Sequence, residues 1–401
     1  MKFFRKELLY VLIIGLGSFT CGEGIAFNSP VGPPFGAEMK LSNMEAIWFN
    51  AIHSLIAVFG GPLNKVLILN FGRKKTLCCI TLVSILSFFL TGITEKSYKW
   101  LGFVGRFIMG LCSGSFSGIC SMYIVEISPS DLRGAYGVIH QLMITLGISY
   151  IYFLGIFFRW RLITFLCLAP VIILGASIWI LPKTSLDKEE IDFHAIEHIF
   201  KSRFIKPFIV SFSLILFQQF SGINPILTNL DLIFSKAGLK LNSSLCSLII
   251  GIAQIIATLL ASYCIEILGR RPIWIISSIG QALALYVMWI RKNWHLKPII
   301  TLLALFIYVF SYGLAFGPVP WMIVPELFPN SVRSIAVSLT TGVNWILSTL
   351  TIFIWKPIVY AIGEAWGYFI FGCFCVGACA FGFFVMPETK GKEIGELSCS
   401  M

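Results

Sequence analysis

Charge is what this 401-residue sequence has least of. Asp, Glu, Lys and Arg make up 12% of it, where a soluble globular domain carries roughly 25%. Together with 57% hydrophobic residues and a mean hydropathy of +0.87, that shortage excludes a soluble domain and defines an integral membrane protein. Catalytic punctuation is missing as well. No Walker sequence and no G-x-S-x-G occurs, so ATP-driven transport and hydrolysis have no support. The twelve cysteines show no C-x-x-C spacing and read as small buried hydrophobes, Cys78, Cys112, Cys120, Cys264, Cys373, Cys375 and Cys379 among them. The net charge of +11 comes without any basic run interleaved with aromatics, which excludes nucleic acid as a partner. One enzyme-like string exists, His194-Ala-Ile-Glu197-His198, formally an H-x-x-E-H zinc pattern. A loop of about twenty residues leaves no room for the folded domain such a site needs, so neither a metal nor a cofactor is expected.

What is present is long apolar runs. A spanning helix needs about 20 mainly apolar residues, and twelve stretches qualify: 8–27, 46–69, 76–93, 101–125, 135–157, 160–181, 205–229, 244–267, 272–290, 297–324, 333–359 and 364–386. The first is too polar at its end for a cleaved signal peptide, because Gly22, Glu23 and Asn28 stand where small residues belong. Basic residues gather in the polar breaks in a way that places both termini in the cytoplasm. Asn242-Ser-Ser, the one glycosylation sequon, then falls on the outer side.

The breaks repeat. Gly72-Arg73-Lys74 returns as Gly269-Arg270-Arg271, 197 residues later, and Glu126-Ile-Ser-Pro129-Ser-Asp-Leu-Arg133 returns as Glu326-Leu-Phe-Pro329-Asn-Ser-Val-Arg333, 200 residues later. The expected architecture is therefore an all-α polytopic membrane protein of twelve transmembrane helices in two pseudo-symmetric six-helix bundles. The bundles are residues 1–182 and 205–387, with a short connecting loop at 183–204 and a tail at 388–401.

Polar side chains in four of the spans are patterned. Gln141, Thr145 and Ser149 line one face of the fifth span, and Thr340, Asn344 and Ser348 repeat the stripe in the eleventh. Gln218, Gln219, Ser221 and Asn224 lie in the seventh span and Gln254 in the eighth. Uncharged amides and hydroxyls suit a neutral polyhydroxylated ligand, each able to donate and accept, and no binder of phosphate or carboxylate accompanies them. The bland alternative is that they bond helix to helix. Gly222 and Pro225, and Gly317-Pro318-Val-Pro320-Trp321, break helices at membrane depth and are candidate hinges. Trp321 reads either as a ligand-stacking wall or as an interface anchor. Gly110, Gly114 and Gly118 share one helix face, for close packing within the chain or between copies. Glu23 puts a carboxylate inside an apolar helix, with Arg106 as its natural partner. The readings are a static buried ion pair, a Glu23 that simply reaches a water-filled vestibule, or a titrating switch.

Taken together and in order, these motifs resemble the sugar porter family of the major facilitator superfamily, within it most closely the insect facilitated trehalose transporters. Pro387-Glu388-Thr389 and Asn344-Trp345 add to the resemblance, which covers nearly the whole chain. It implies the major facilitator fold, alternating access between two bundles, the plasma membrane, and a sugar such as trehalose or a hexose as substrate. It assigns Gln141, Thr145, Gln218, Gln219, Asn224, Gln254, Trp321 and Asn344 to sugar binding. It assigns Arg73, Glu126, Arg133, Glu266, Arg270, Arg271, Glu326 and Arg333 to a cytoplasmic charge network. Leu69 stands where the second copy has Glu266, and Gly313 where hexose carriers often place a carboxylate, which leaves room for a larger disaccharide. Glu23, with Arg106, matches the titrating acid of proton-coupled members. Passive sugar transport and proton symport through Glu23 are thus both implied, with a non-transporting sugar sensor or a degenerate relic as the reading from another class.

Overall fold

The computed structural model describes residues 6–128, 133–182, 202–239, 241–294, 296–328 and 330–390. The H-x-x-E-H string, Pro129, Pro329 and the side chains of Arg133 and Arg333 lie outside the described residues.

Among the described residues, twelve helical stretches are long and apolar enough to cross a membrane: Lys6–Ala26, Asn43–Ile68, Asn70–Gly92, Trp100–Ile127, Tyr136–Phe157, Trp160–Ile180, Ile205–Leu227, Ser243–Leu268, Arg270–Asn293, Ile299–Val324, Ile335–Ile362 and Glu364–Phe384. They are called the first to twelfth spans below. Their outer surfaces invert the soluble pattern, with Trp179 75%, Phe384 87% and Leu82 62% exposed. Side chains of this kind belong against lipid.

The chain divides into two compact units, Met1–Ile191 with Leu227–Asp231, and Asp192–Ile226 with Leu232–Met401. Unit 1 holds its five outlying residues by hydrogen bonds. Tyr152 donates its hydroxyl to the Leu227 carbonyl at 2.9 Å, Asn28 donates its amide to that of Thr228 at 3.4 Å, and Ser29 Oγ accepts from Asp231 N at 3.3 Å.

Local sequence explains where helices start and bend. Ser42 and Glu45 form a reciprocal capping box that opens the second span, the Ser42 hydroxyl accepting from Glu45 N and the Glu45 carboxylate from Ser42 N. Asn242, the sequon residue, caps the eighth span by accepting from Ser244 N at 2.9 Å. The two signature glycines adopt almost the same left-handed backbone, φ 75° and ψ 169° at Gly72, φ 91° and ψ 172° at Gly269. Each separates two helices with a sharp step that other residues reach only under strain. The sequence repeat is thus a repeat of backbone conformation.

The glycine stripe of the fourth span packs within unit 1. A Cβ on Gly110 would lie 2.3 Å from the His53 carbonyl oxygen, and one on Gly114 2.0 Å from that of Ala57. The first and fifth spans meet as closely through Gly22 and Gly147. The expectation of uniformly buried cysteines needs correcting: Cys373 is exposed and Cys78, Cys264 and Cys379 are partly so, while Cys112, Cys120 and Cys375 are buried. In lipid a thiol needs no burial, because the surrounding solvent is itself apolar.

Candidate functional site

In unit 2, polar groups gather where the seventh span breaks. Its first helix ends at Phe220 and a short one begins at Ile223. Gly222 makes the step at φ 87°, in a position where a Cβ would sit 2.2 Å from the Phe371 ring. The step turns Asn224 back toward Gln219. Asn224 Nδ2 donates to Gln219 Oε1 at 2.5 Å and to Ser348 Oγ at 2.8 Å, and Gln219 Nε2 donates to Asn344 Oδ1 at 2.5 Å. Four neutral side chains from the seventh and eleventh spans form one connected network. Gln254 is 1% exposed, and its Oε1 is buried with no hydrogen-bond partner. Such an acceptor in an apolar setting costs free energy until a donor reaches it.

Gln218 has a different task. In an α-helix the Phe316 carbonyl would accept from residue 320, but Pro320 has no N–H. Gln218 Nε2 supplies the missing donor at 2.5 Å. It does so at the end of a π-helical turn, Tyr312–Phe316, that precedes Gly317-Pro318. Trp321 follows, half-buried, in the helix Pro318–Leu327.

Unit 1 has a polar stripe of its own, on the fifth span. Gln141 is 7% and Thr145 0% exposed. The Thr145 hydroxyl donates to the Gln141 carbonyl at 3.0 Å and that of Ser149 to the Thr145 carbonyl at 2.9 Å. Both hydroxyl protons are therefore held by their own helix.

The charge motifs pair within each unit in the same pattern. Arg73 faces Glu126 through two contacts of 2.6 Å, and Arg270 donates to Glu326 at 2.9 Å. The cation after each arginine does a second job. Lys74 donates to the Trp179 and Leu181 carbonyls at 2.9 and 2.8 Å, and Arg271 to those of Gly382, at 2.9 Å, and Phe383. Each caps the carbonyl end of the last helix of its own unit, where a cation is favoured. Lys74 is absent from the residues expected in the network, although the repeated motif marks it as the counterpart of Arg271. Glu266 is exposed and pairs with no described residue.

Unit 2 adds a carboxylate. Glu388 accepts from Arg270 N and Arg271 N at 3.0 Å each, at the start of the ninth span, and Thr389 donates to Glu326 at 2.6 Å. Burial pushes the Glu388 carboxyl up, but donation from the backbone N–H groups of Arg271, Lys390 and Arg270 outweighs it and holds the group below the ordinary range. A depressed carboxyl adds stability that is complete above its unfolded value of about 4.3 and lost as pH falls through the folded one. Glu388→Gln should therefore lower the melting temperature in detergent at neutral pH, with the gap to wild type closing in acid below about pH 4. A gap that stays constant on acidification would contradict this role.

The expected Glu23–Arg106 ion pair is not formed. Glu23 is 0% exposed and neither carboxylate oxygen has a hydrogen-bond partner. Arg106, 1% exposed, donates through Nη1 to the Gly24 carbonyl at 3.1 Å and through Nε to that of Phe49 at 3.4 Å. In a helix the carbonyls point along the axis and the side chains outward, so a guanidinium seated on the Gly24 carbonyl is not thereby on the Glu23 side chain. Two histidines that sequence reasoning passed over are buried nearby in unit 1. His53 Nε2 lies 2.9 Å from Ser113 Oγ, and His140 Nδ1 2.7 Å from Ser18 Oγ. Single histidines in apolar runs carry no spacing signal.

Twelve spans, neutral amides at a broken helix and matched ion pairs at the helix ends describe a polytopic carrier. The profile of the family described as "Sugar (and other) transporter" matches residues 18–186 and again residues 183–399, so the chain belongs to that family. It is 27% identical to the facilitated trehalose transporter Tret1 of Bombyx mori, over 100% of this chain and 87% of that one. The Aedes aegypti protein of the same name is also 27% identical, over 100% of this chain and 55% of its own length. Among solved structures, the proton:xylose symporter XylE bound to 6-bromo-6-deoxy-D-glucose matches with a TM-score of 0.84 at 22% identity, covering 98% of both chains. The inward-open XylE from E. coli matches with a TM-score of 0.81 at 21% identity, over 98% of this chain and 99% of that one. The fold is that of the major facilitator superfamily.

Proposed function

We propose that this chain is a facilitative plasma-membrane carrier of trehalose or a hexose, working by alternating access with both termini in the cytoplasm. The observation that carries the substrate class is the uncharged network of Gln219, Asn224, Asn344 and Ser348. Amides exchange bonds with each other as readily as with sugar hydroxyls, so a sugar can replace internal bonds with equivalent ones at little net cost. The Arg73–Glu126 and Arg270–Glu326 pairs sit at helix ends and are partly exposed on the acidic side, which suits contacts that make and break during a cycle. The trehalose transporters among its relatives support the disaccharide.

The second reading is proton symport through Glu23, favoured by that residue's complete burial and by a fold shared with a proton:xylose symporter. Against it, a proton moving on or off Glu23 releases no ion pair, because Arg106 is held by carbonyls. Uptake of labelled trehalose, with glucose for comparison, into cells expressing the chain separates the readings. A passive carrier brings sugar only to the outside concentration and ignores an imposed proton gradient. Accumulation that collapses with a protonophore and with Glu23→Gln establishes symport, and sugar binding without flux indicates a sensor.

A further inference from the structure

Among the described residues, Arg106 is a buried cation paired with no anion. Its guanidinium carbon lies 5.3 Å from the centre of the Phe27 ring and 5.6 Å from that of Phe49, and Nη1 also reaches Met109 Sδ at 3.2 Å. Ring faces are negative and attract a desolvated guanidinium. The rings are themselves braced: Phe49 stacks on Phe35 at 4.5 Å and meets the edge of Phe103 at 5.6 Å, while Phe27 packs on Phe88 at 6.2 Å. Both are essentially inaccessible, Phe27 at 0% and Phe49 at 1%.

One residue before the carbonyl that Arg106 occupies stands Glu23, with both oxygens unpartnered. Two buried groups of opposite sign would pair if nothing else held them, since the attraction is strongest where water is excluded. The titratable groups facing them are His53 from the second span, Tyr150 from the fifth and Cys167 from the sixth. None of these is hydrogen-bonded to Glu23.

We infer that Phe27 and Phe49 are positioning residues that hold the Arg106 guanidinium away from Glu23, leaving the buried acid without a cation to release and sugar movement uncoupled from proton movement. This rests on the passive-carrier reading. Its test is to give Arg106 its freedom. In Phe27→Leu and Phe49→Leu carriers the ring faces are lost while apolar volume is largely kept, so the Gly24 and Phe49 carbonyls and Met109 Sδ are left to oppose a turn of the guanidinium toward Glu23. Uptake should be flat between about pH 5 and 8 in wild type and in the Leu variants should fall by roughly threefold or more toward the alkaline end, where the new pair locks. Adding Glu23→Gln to the Leu variants should flatten the profile, and Phe27→Tyr and Phe49→Tyr, which keep a ring face, should stay flat.

Leu variants that transport with a flat profile overturn the inference, as do Tyr variants that become pH-dependent, since packing rather than ring face would then be at work. Infrared difference spectroscopy of the purified carrier covers variants that fail to transport. The carboxyl band assigned to Glu23 by Glu23→Gln should be constant over the same range in wild type and give way to carboxylate in the Leu variants. A constant band in those variants overturns the inference. Absence of sugar uptake by wild type defeats the functional reading but leaves the infrared result to decide this one. Proton-driven accumulation by wild type defeats both.

Discussion

Asn224→Ala is expected to reduce initial sugar uptake by roughly ten- to a hundredfold, equivalent to about 1.4 to 2.8 kcal/mol. Asn224 is the junction of the amide network, donating to both Gln219 Oε1 and Ser348 Oγ. Truncation removes both bonds and leaves the Gln219 acceptor buried and unpaired, a loss of about 1 to 3 kcal/mol. Gln219 then has only Asn344 to fix its amide, and orientation is what a multipoint hydrogen-bonding site depends on. Gln218→Ala should behave differently. Its amide fills the Phe316 carbonyl left open by Pro320, so the change should lower the melting temperature and slow turnover more than it weakens sugar competition. Uptake by Asn224→Ala within twofold of wild type, at equal surface expression, would place the sugar elsewhere.

The architecture was legible because membrane insertion writes it in bulk: twelve apolar runs and a motif pair nearly 200 residues apart leave little choice of topology. The matched backbone at Gly72 and Gly269 shows why that pair of glycines was informative, since the step they make is a glycine conformation. For the candidate site, the sequence marked residues by type and left their direction open. Gln219, Asn224 and Asn344 do converge, through a break at Gly222 that was visible as a glycine beside a proline. Gln218 stands next to them in sequence yet serves a backbone carbonyl, and the clue was Pro320, about a hundred residues away. The hydroxyls of Thr145 and Ser149 share the face of Gln141 but are spent on their own helix. Glu23 and Arg106 failed as a pair for a related reason. Opposite charges identify candidates, but two ring faces and two carbonyls compete for the guanidinium, and none of those competitors has a sequence signature.

Gly114→Ala is expected to destabilise the carrier by about 3 kcal/mol, near the upper end of what overpacking costs, whereas Gly137→Ala should be neutral or stabilising by up to about 1 kcal/mol. Both glycines are helical and both lie in unit 1. They differ in what a methyl group meets. At Gly114 it would lie 2.0 Å from the Ala57 carbonyl oxygen, and the reciprocal atom on Gly60 would lie 2.3 Å from the Gly114 carbonyl carbon. The obstacles are backbone on both sides, which no rotamer change relieves, so the second and fourth spans must separate and lose packing along the seam. At Gly137 no atom of the described residues lies within 4 Å, and alanine only restricts the unfolded chain. Thermal unfolding in detergent, followed by tryptophan fluorescence, reads both variants on one scale. Equal melting temperatures would mean that the seam between these spans yields freely, and helix contact in unit 1 would then owe little to its small residues. A large gap would tie the stability of the unit to backbone approach rather than to its few ion pairs, as expected in a solvent that offers no hydrophobic drive between helices.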